Sequence, residues 1–278
     1  MKHLVVTADD FGLAPEVNEA VEAAHERGIL TAASLMVAGE AAADAVARAR
    51  RLPRLRVGLH VVLVEGRPML PPERLPDLVD ATGQFRTDMA RLGLDIFMRP
   101  SVRRQVRAEV EAQFEAFRAT GLAFDHVNAH KHFHLHPTVA NEIIAISARH
   151  GVRGLRVPRE PASVLAEVEP PSARALAWVT APFAGLLARR ARRAGMQTAE
   201  AVFGLAWSGA MTAARLEALL RRLGAGRTEI YMHPATADVF AGHAPGYRYR
   251  DELAALLAPA VITAARRPDV TLGGYADF

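Results

Sequence analysis

Short apolar runs of β character alternate along the chain with longer segments in which apolar residues recur every three or four positions. The runs are Leu4 to Thr7, Ala33 to Val37, Arg56 to Leu63, His126 to His130, Gly154 to Val157, Glu229 to His233 and Val270 to Leu272. Helical periodicity is clearest where Val102, Val106, Val110, Phe114 and Phe117 share one stripe and Arg and Glu fill the other positions. Pro15 to Arg27, Glu40 to Arg51, Pro137 to His150 and Thr212 to Leu223 read the same way. A repeated strand-then-helix order predicts parallel strands with helical crossovers, either a barrel or an open doubly wound sheet. Residues Arg67 to Arg99 are poor in strand signals and contain Pro68, Pro71, Pro72 and Pro76. They are expected to form an excursion at about 67–99, of the kind that shapes substrate pockets in barrels.

Composition narrows this picture. With 278 residues, 50% of them hydrophobic, the chain is long enough for one barrel domain over 1–278. There is no cysteine, which excludes disulfides and thiolate chemistry and leaves His, Asp and Glu as the metal ligands. The net charge of +4 is almost entirely arginine, spread singly over helix faces among acids. That is not the clustered footprint of a nucleic-acid binder, so no nucleic-acid partner is expected. The first apolar run is too short for a signal peptide and no stretch reaches the ~18 residues of a membrane span. A cytoplasmic location is expected. Asp9-Asp10-Phe11-Gly12 follows the first strand where a Gly-rich phosphate loop would stand, which argues against a dinucleotide cofactor.

Four constellations carry candidate chemistry. Asp9 and Asp10 end the first strand; both can face one site only if the backbone leaves strand geometry there, and Gly12 offers a turn. Adjacent buried acids are separated by a cation into a ligand and a base, whereas a helix N-cap before Pro15 is the alternative. His60 lies in an apolar strand, as a metal ligand or a hydrogen-bonded core residue. His130, His132, His134 and His136 alternate strictly and would line one face if the strand continued, which points to metal binding by a subset. His233 ends another strand, as a general acid or base or as a core imidazole. Asp9-Asp10, His60, His130 and His233 all fall at the ends of separate strands, where barrel enzymes carry their catalytic groups.

The set TADDFG, GLH, AHKHFH with a following Pro, and MHP resembles the YdjC-like carbohydrate deacetylases over nearly the whole chain. The resemblance implies a distorted TIM-type (β/α) barrel and one divalent metal ion, zinc or magnesium, with removal of an N-acetyl group from a sugar. Asp10, His60 and His130 would be the ligands, Asp9 the general base, and His233 would lie beside the site as the proton donor. One departure stands out: the family usually has Asp-Ser before the first histidine of the third motif, and this chain has Asn128-Ala129. The segments around Trp207 and Tyr247 and the ending Gly273-Gly274-Tyr275-Ala276-Asp277-Phe278 resemble the branch associated with hopanoid biosynthesis. That branch implies a glycosylated hopanoid bearing N-acetylglucosamine as substrate; another acetylated amino-sugar is the alternative. Arg156 and Glu160 are expected at sugar hydroxyls or in a surface ion pair, and Trp207 and Tyr247 are further substrate-binding candidates. The apolar stretch Ala175 to Ala188, followed by Arg189, Arg190, Arg192 and Arg193, reads as a peripheral contact with the inner membrane face or as a barrel helix with a basic end. A homodimer is a further expectation about partners.

Overall fold

The computed structural model describes residues 1–169 and 174–278, with the side chains of all of these except 174–180. Eight strands form one sheet: β1 (Lys2–Phe11), β2 (Ala32–Leu35), β3 (Arg56–Val61), β4 (Phe124–Ala129), β5 (Gly154–Leu155), β6 (Ala201–Phe203), β7 (Gly226–Met232) and β8 (Val270–Leu272). Every pairing is parallel, as the alternation of strand and helix predicted, and the order is β5-β4-β3-β2-β1-β7-β6.

The distortion of the barrel is located in two places. The β7 strand pairs with β1 directly, and β8 pairs only with the start of β1, from Lys2 to Leu4. Between the two ends of the sheet path a single isolated parallel bridge, Gly154 to Gln197, stands in for a ladder. Helices cover the outside. The first is α1 (Pro15–Arg27), started by Pro15, whose missing N–H would be unpaired there in any case. It is followed by α2 (Ala42–Arg51), α3 (Met89–Met98), α4 (Pro100–Ala119), α5 (Pro137–Arg149), α6 (Ala162–Val168), α7 (Arg174–Arg193), α8 (Ala213–Arg221), α9 (Tyr249–Leu257) and α10 (Pro259–Ala265).

Period-two alternation sorts the strands into two faces. Leu4, Val6, Ala8, Leu59, Val61, Val127, Ile230 and Met232 point outward into the helix-packed core. The inward positions are different: Thr7, Asp9, Ser34, His60, His126, Asn128 and Glu229 are all buried polar groups. The barrel interior thus carries a polar stack with its hydrogen bonds made internally, as burial requires, beside a small apolar cluster of Val5, Ala32 and Tyr275. It is also narrow. A Cβ added to Gly58 would stand 2.5 Å from His126, so the inward face of β3 has no space for a side chain there.

The excursion contains α3 and a short antiparallel bridge from Val79 to Phe85, so it is more ordered than its prolines suggest. Glu109 of α4 reaches into it and accepts from Met69 N and Leu70 N, while Gln113 of the same helix bonds the Val62 backbone just after β3. Among the described residues no helix is long and apolar enough to cross a membrane. Of the stretch expected to touch a membrane, the side chains of residues 175–180 lie outside the described residues. In the remainder Ala184, Leu187 and Ala191 are buried and Phe183 is exposed.

Candidate metal centre

The C-terminal ends of β1, β3 and β4 converge on one point. Asp10 Oδ1 stands 3.1 Å from His130 Nδ1 and 3.3 Å from His60 Nε2, and the two imidazole nitrogens are 3.4 Å apart. Ligands of a tetrahedral ion at about 2.1 Å would stand ~3.4 Å from one another, so the donor set fits a divalent cation of zinc's size and preference. These are three of the residues singled out from the sequence, brought together over separations of 50 and 120 positions.

Asp9 and Asp10 reach one site because the strand breaks register between them. Pairing of β1 with β2 slips between Ala8 and Phe11, and Asp10 itself adopts φ +61°, a left-handed conformation that costs energy for a residue with a side chain. The turn expected at Gly12 is present at φ +94°, and the Gly12 N–H donates to Asn18 of α1 at 2.8 Å. Asp9 continues inward and takes two bonds from Arg156, 2.5 and 3.0 Å long. Burial acts to raise the Asp9 carboxyl, but the guanidinium of Arg156 and the nearby His60 outweigh it and hold the group well below its ordinary value. Burial likewise opposes ionisation of Asp10, and His130 and His60 reverse it.

The alternation of four histidines does not continue as a strand. The β4 strand ends at Ala129, and Lys131 and His132 follow in left-handed conformation, with φ of 52° and 53°. Only His130 reaches the ligand set. His132 Nε2 meets the Tyr231 hydroxyl at 2.7 Å, His134 Nε2 meets the Arg156 carbonyl at 3.0 Å, and His136 Nε2 meets the Gly93 carbonyl at 3.1 Å while its Nδ1 caps α5. Burial pushes His134 down to about 3, so it is a neutral structural imidazole. Two backward turns in succession carry no sequence signal beyond the lysine between the histidines.

His233 sits above the site at the end of β7, its ring 5.1 Å from Tyr247 and 5.8 Å from Tyr231. Burial lowers its pKa despite the charges of Asp10 and Asp9, and its buried Nδ1 has no partner among the described residues. Tyr247 also bonds to Ser208 at 2.7 Å, which places it at the same rim. The other sequence candidates are not presented to the cleft. Arg156 is fully buried between Asp9 and Glu229, the Glu160 carboxylate accepts the backbone N–H groups of Gly204, Leu205 and Ala206, and Trp207 is buried with Arg215 over its ring. The sequence did not mark Glu252, which accepts from His233 N at 2.5 Å and Met211 N at 2.9 Å and so fixes the loop that carries His233. Burial pushes its carboxyl from 4.5 up to about 7. The native state then keeps a proton that the unfolded chain releases from about pH 4.5 upward, so stability declines as pH rises through that window, by roughly 3 kcal/mol. Urea midpoints at pH 5 and pH 8 should show the decline, and Glu252→Gln should flatten it.

Asn128 explains how His60 is held. Its amide stands 2.7 Å from His60 Nδ1 at one end; at the other it lies 2.9 and 3.1 Å from the Arg156 Nη atoms. A His60 that ligates through Nε2 carries its proton on Nδ1 and needs an acceptor, and so does Arg156. One amide carbonyl can serve only one of them, whereas a carboxylate would serve both. Asn128→Asp is therefore expected to tighten ion binding about tenfold, the worth of one buried donor satisfied. Competition against a fluorescent chelator measures it; equal affinities would remove the amide conflict from the account.

The family model for YdjC-like protein matches residues 3–267. The chain belongs to the YdjC-like family. A carbohydrate deacetylase of Geobacillus stearothermophilus is 30% identical over 281 residues, spanning 100% of this chain and 98% of its own length. A chitooligosaccharide deacetylase of Serratia marcescens is 32% identical over 168 residues, or 58% of this chain and 61% of its own. Among solved structures, a proposed cellobiose-phosphate cleavage protein of Enterococcus faecalis V583 superposes with a TM-score of 0.78 at 24% identity, over 99% of this chain and 98% of that one. This YdjC-like chain is accordingly a carbohydrate deacetylase, a hydrolase, in which the ligand atoms of Asp10, His60 and His130 are grouped closely enough to hold an ion.

Proposed function

We propose that the chain hydrolyses the N-acetyl group of a glucosamine unit carried on a hopanoid lipid, releasing acetate and the free amine. The observation that carries the reaction is the pairing of two unlike carboxylates: Asp10 in the three-ligand set, and Asp9 beside it but bound to Arg156 instead. Two imidazoles and one carboxylate favour zinc over magnesium, which prefers oxygen ligands. Bound there, the ion supplies Lewis acidity to the acetamide carbonyl and lowers the pKa of a water. Asp9, which Arg156 holds ionised, would accept a proton from the attacking water. His233, whose ring lies 5.1 Å from that of Tyr247, would pass a proton to the leaving nitrogen, and Tyr247 would orient the sugar.

Support for a lipid-borne substrate comes from the apolar surface around the His130 loop. The exposed Leu94, Phe97 and Met98 lie on α3, which the His136 to Gly93 bond ties to that loop. Phe183 is exposed on α7, whose Arg190 donates at 2.7 Å to the carbonyl of Pro137, the first residue of α5 after that loop. A cleft of about 290 Å³ has a mixed lining, with Leu13, Met36 and Val62 beside Glu40, Glu65 and Arg67, which suits a sugar headgroup joined to an apolar body. Peripheral contact of this face with a membrane would bring substrate to it.

The name of the Serratia relative favours a second reading, short acetylated chitin sugars, for the same site. Acetate release by zinc-loaded protein is measured on both substrates, with a chelated control. Release from the hopanoid sugar that stops on chelation is the expected result. Release from chitin oligomers alone would discard the lipid and keep the chemistry.

A further inference from the structure

We infer that Tyr275, in the C-terminal tail, is a positioning residue for Asp9 and acts through Glu229 and Arg156. The inference rests on the deacetylase reading, in which Asp9 touches the reacting water.

After β8 the chain turns under the end of the barrel opposite the metal centre. There the tail meets the first residues of the strands: Gly273 N donates to Leu4 O, Tyr275 N and Ala276 N donate to the Asp125 carboxylate, and Arg56 pairs with Asp277. Phe278 packs on His3 with ring centroids 4.3 Å apart. From this plug the Tyr275 side chain alone rises into the barrel. It is fully buried, stacks on His126 at 5.3 Å, and its hydroxyl donates to Glu229 Oε2 at 2.6 Å.

Glu229 is the next link. Its Oε1 accepts from the Thr7 hydroxyl at 2.8 Å and from Arg156 Nε and Nη2 at 3.0 and 2.7 Å. The other edge of the same guanidinium makes the two bonds to Asp9. Four side chains thus run from the floor of the barrel to the reacting carboxylate, and none is more than 2% exposed. Water has no access to replace a missing bond in that chain. Filling the barrel floor would need only an aromatic ring; the hydroxyl has one partner among the described residues, and that partner sets the plane of Arg156. Without the hydroxyl, Glu229 Oε2 keeps no donor among the described residues, the carboxylate turns, and Arg156 loses one side of a two-sided hold.

Tyr275→Phe removes the hydroxyl and keeps the ring. Assayed on an acetylated chitin oligomer, kcat is expected to fall about tenfold with KM and the zinc Kd within twofold of wild type, because neither sugar contacts nor ligands change. Combining it with Glu229→Gln should add less than the sum of the two losses, as for members of one chain. Phe278→Ala disturbs the same tail without touching Glu229; it should lower Tm and leave kcat unchanged. A readout independent of turnover is the exchange rate of the Arg156 side-chain N–H protons by NMR, expected to rise about tenfold in Tyr275→Phe only. The inference is overturned if Tyr275→Phe keeps wild-type kcat, or if Phe278→Ala loses kcat in the same proportion to its Tm. If wild type releases no acetate from any substrate, the deacetylase reading fails, and the exchange rates still decide: equal rates in Tyr275→Phe and wild type overturn the coupling, and faster exchange upholds it.

Discussion

Asp10→Ala is expected to abolish ion binding and turnover together, while Asp9→Asn retains the ion and loses turnover by a hundredfold or more. The two acids are neighbours in sequence, yet the left-handed turn at Asp10 sends them to different partners. Asp10 Oδ1 contacts both histidines, so removing it leaves two imidazoles, too few to hold a divalent cation against water. Asp9 contacts neither ligand nitrogen within hydrogen-bond distance among the described residues; its bonds run to Arg156 and, at 3.4 Å, to the Asn128 amide. An amide at position 9 keeps the shape and forfeits the proton acceptor, a change of the size seen when a general base is removed. It also deprives Arg156 of a charge partner, so the stability of the variant is checked alongside. The measurement is zinc content by mass spectrometry on purified protein together with acetate release. His60→Ala and His130→Ala should follow Asp10→Ala. Retention of full activity in Asp9→Asn would move the base elsewhere, and loss of zinc in Asp9→Asn would make it a ligand.

The parts of the site legible in the sequence were those that alternation could expose. Inward positions of β3 and β7 follow from period two, so His60 and His233 could be placed at strand ends before any fold was known, and the parallel order made those ends converge. The same rule misplaced His132, His134 and His136, because it assumes that the strand goes on; two left-handed residues in sequence redirect each to a separate backbone or hydroxyl partner. The β6 strand escaped notice since three residues, Ala201 to Phe203, are too few to show a period. The α3 helix was hidden among prolines. Arg156 and Glu160 are expected from the sequence at sugar hydroxyls or in a surface ion pair, and the fold buries them instead: one neutralises buried acids, the other collects three backbone N–H groups. Which of these a polar residue does depends on partners 40 to 150 positions away, and no local pattern encodes that.

Arg156→Met should cost the fold about 3–5 kcal/mol, the expected penalty for leaving buried carboxylates without their cation. Arg156 has no exposed surface, lies over the Tyr231 ring at 4.5 Å, and is shared by Asp9 and Glu229, each also buried. Methionine fills much of the same volume, so the loss is chiefly electrostatic. The pH dependence separates this from a packing defect. In wild type the Asp9 carboxyl is held below its unfolded value; its contribution to stability is fully present above that value and is lost as pH falls through the depressed one. Without Arg156, burial dominates at Asp9, which then takes up a proton more readily than in the unfolded chain. The sign then reverses: the variant loses stability as pH rises above about 4, where unfolded carboxyls ionise. Urea midpoints at pH 5 and pH 8 should therefore diverge more in Arg156→Met than in wild type, with the larger deficit at pH 8. Adding Glu229→Gln should recover part of the deficit, since one fewer buried charge remains unpaired. A deficit of equal size at both pH values would mean that Arg156 holds the barrel by volume and by its stacking on Tyr231, and that the carboxylates find other donors.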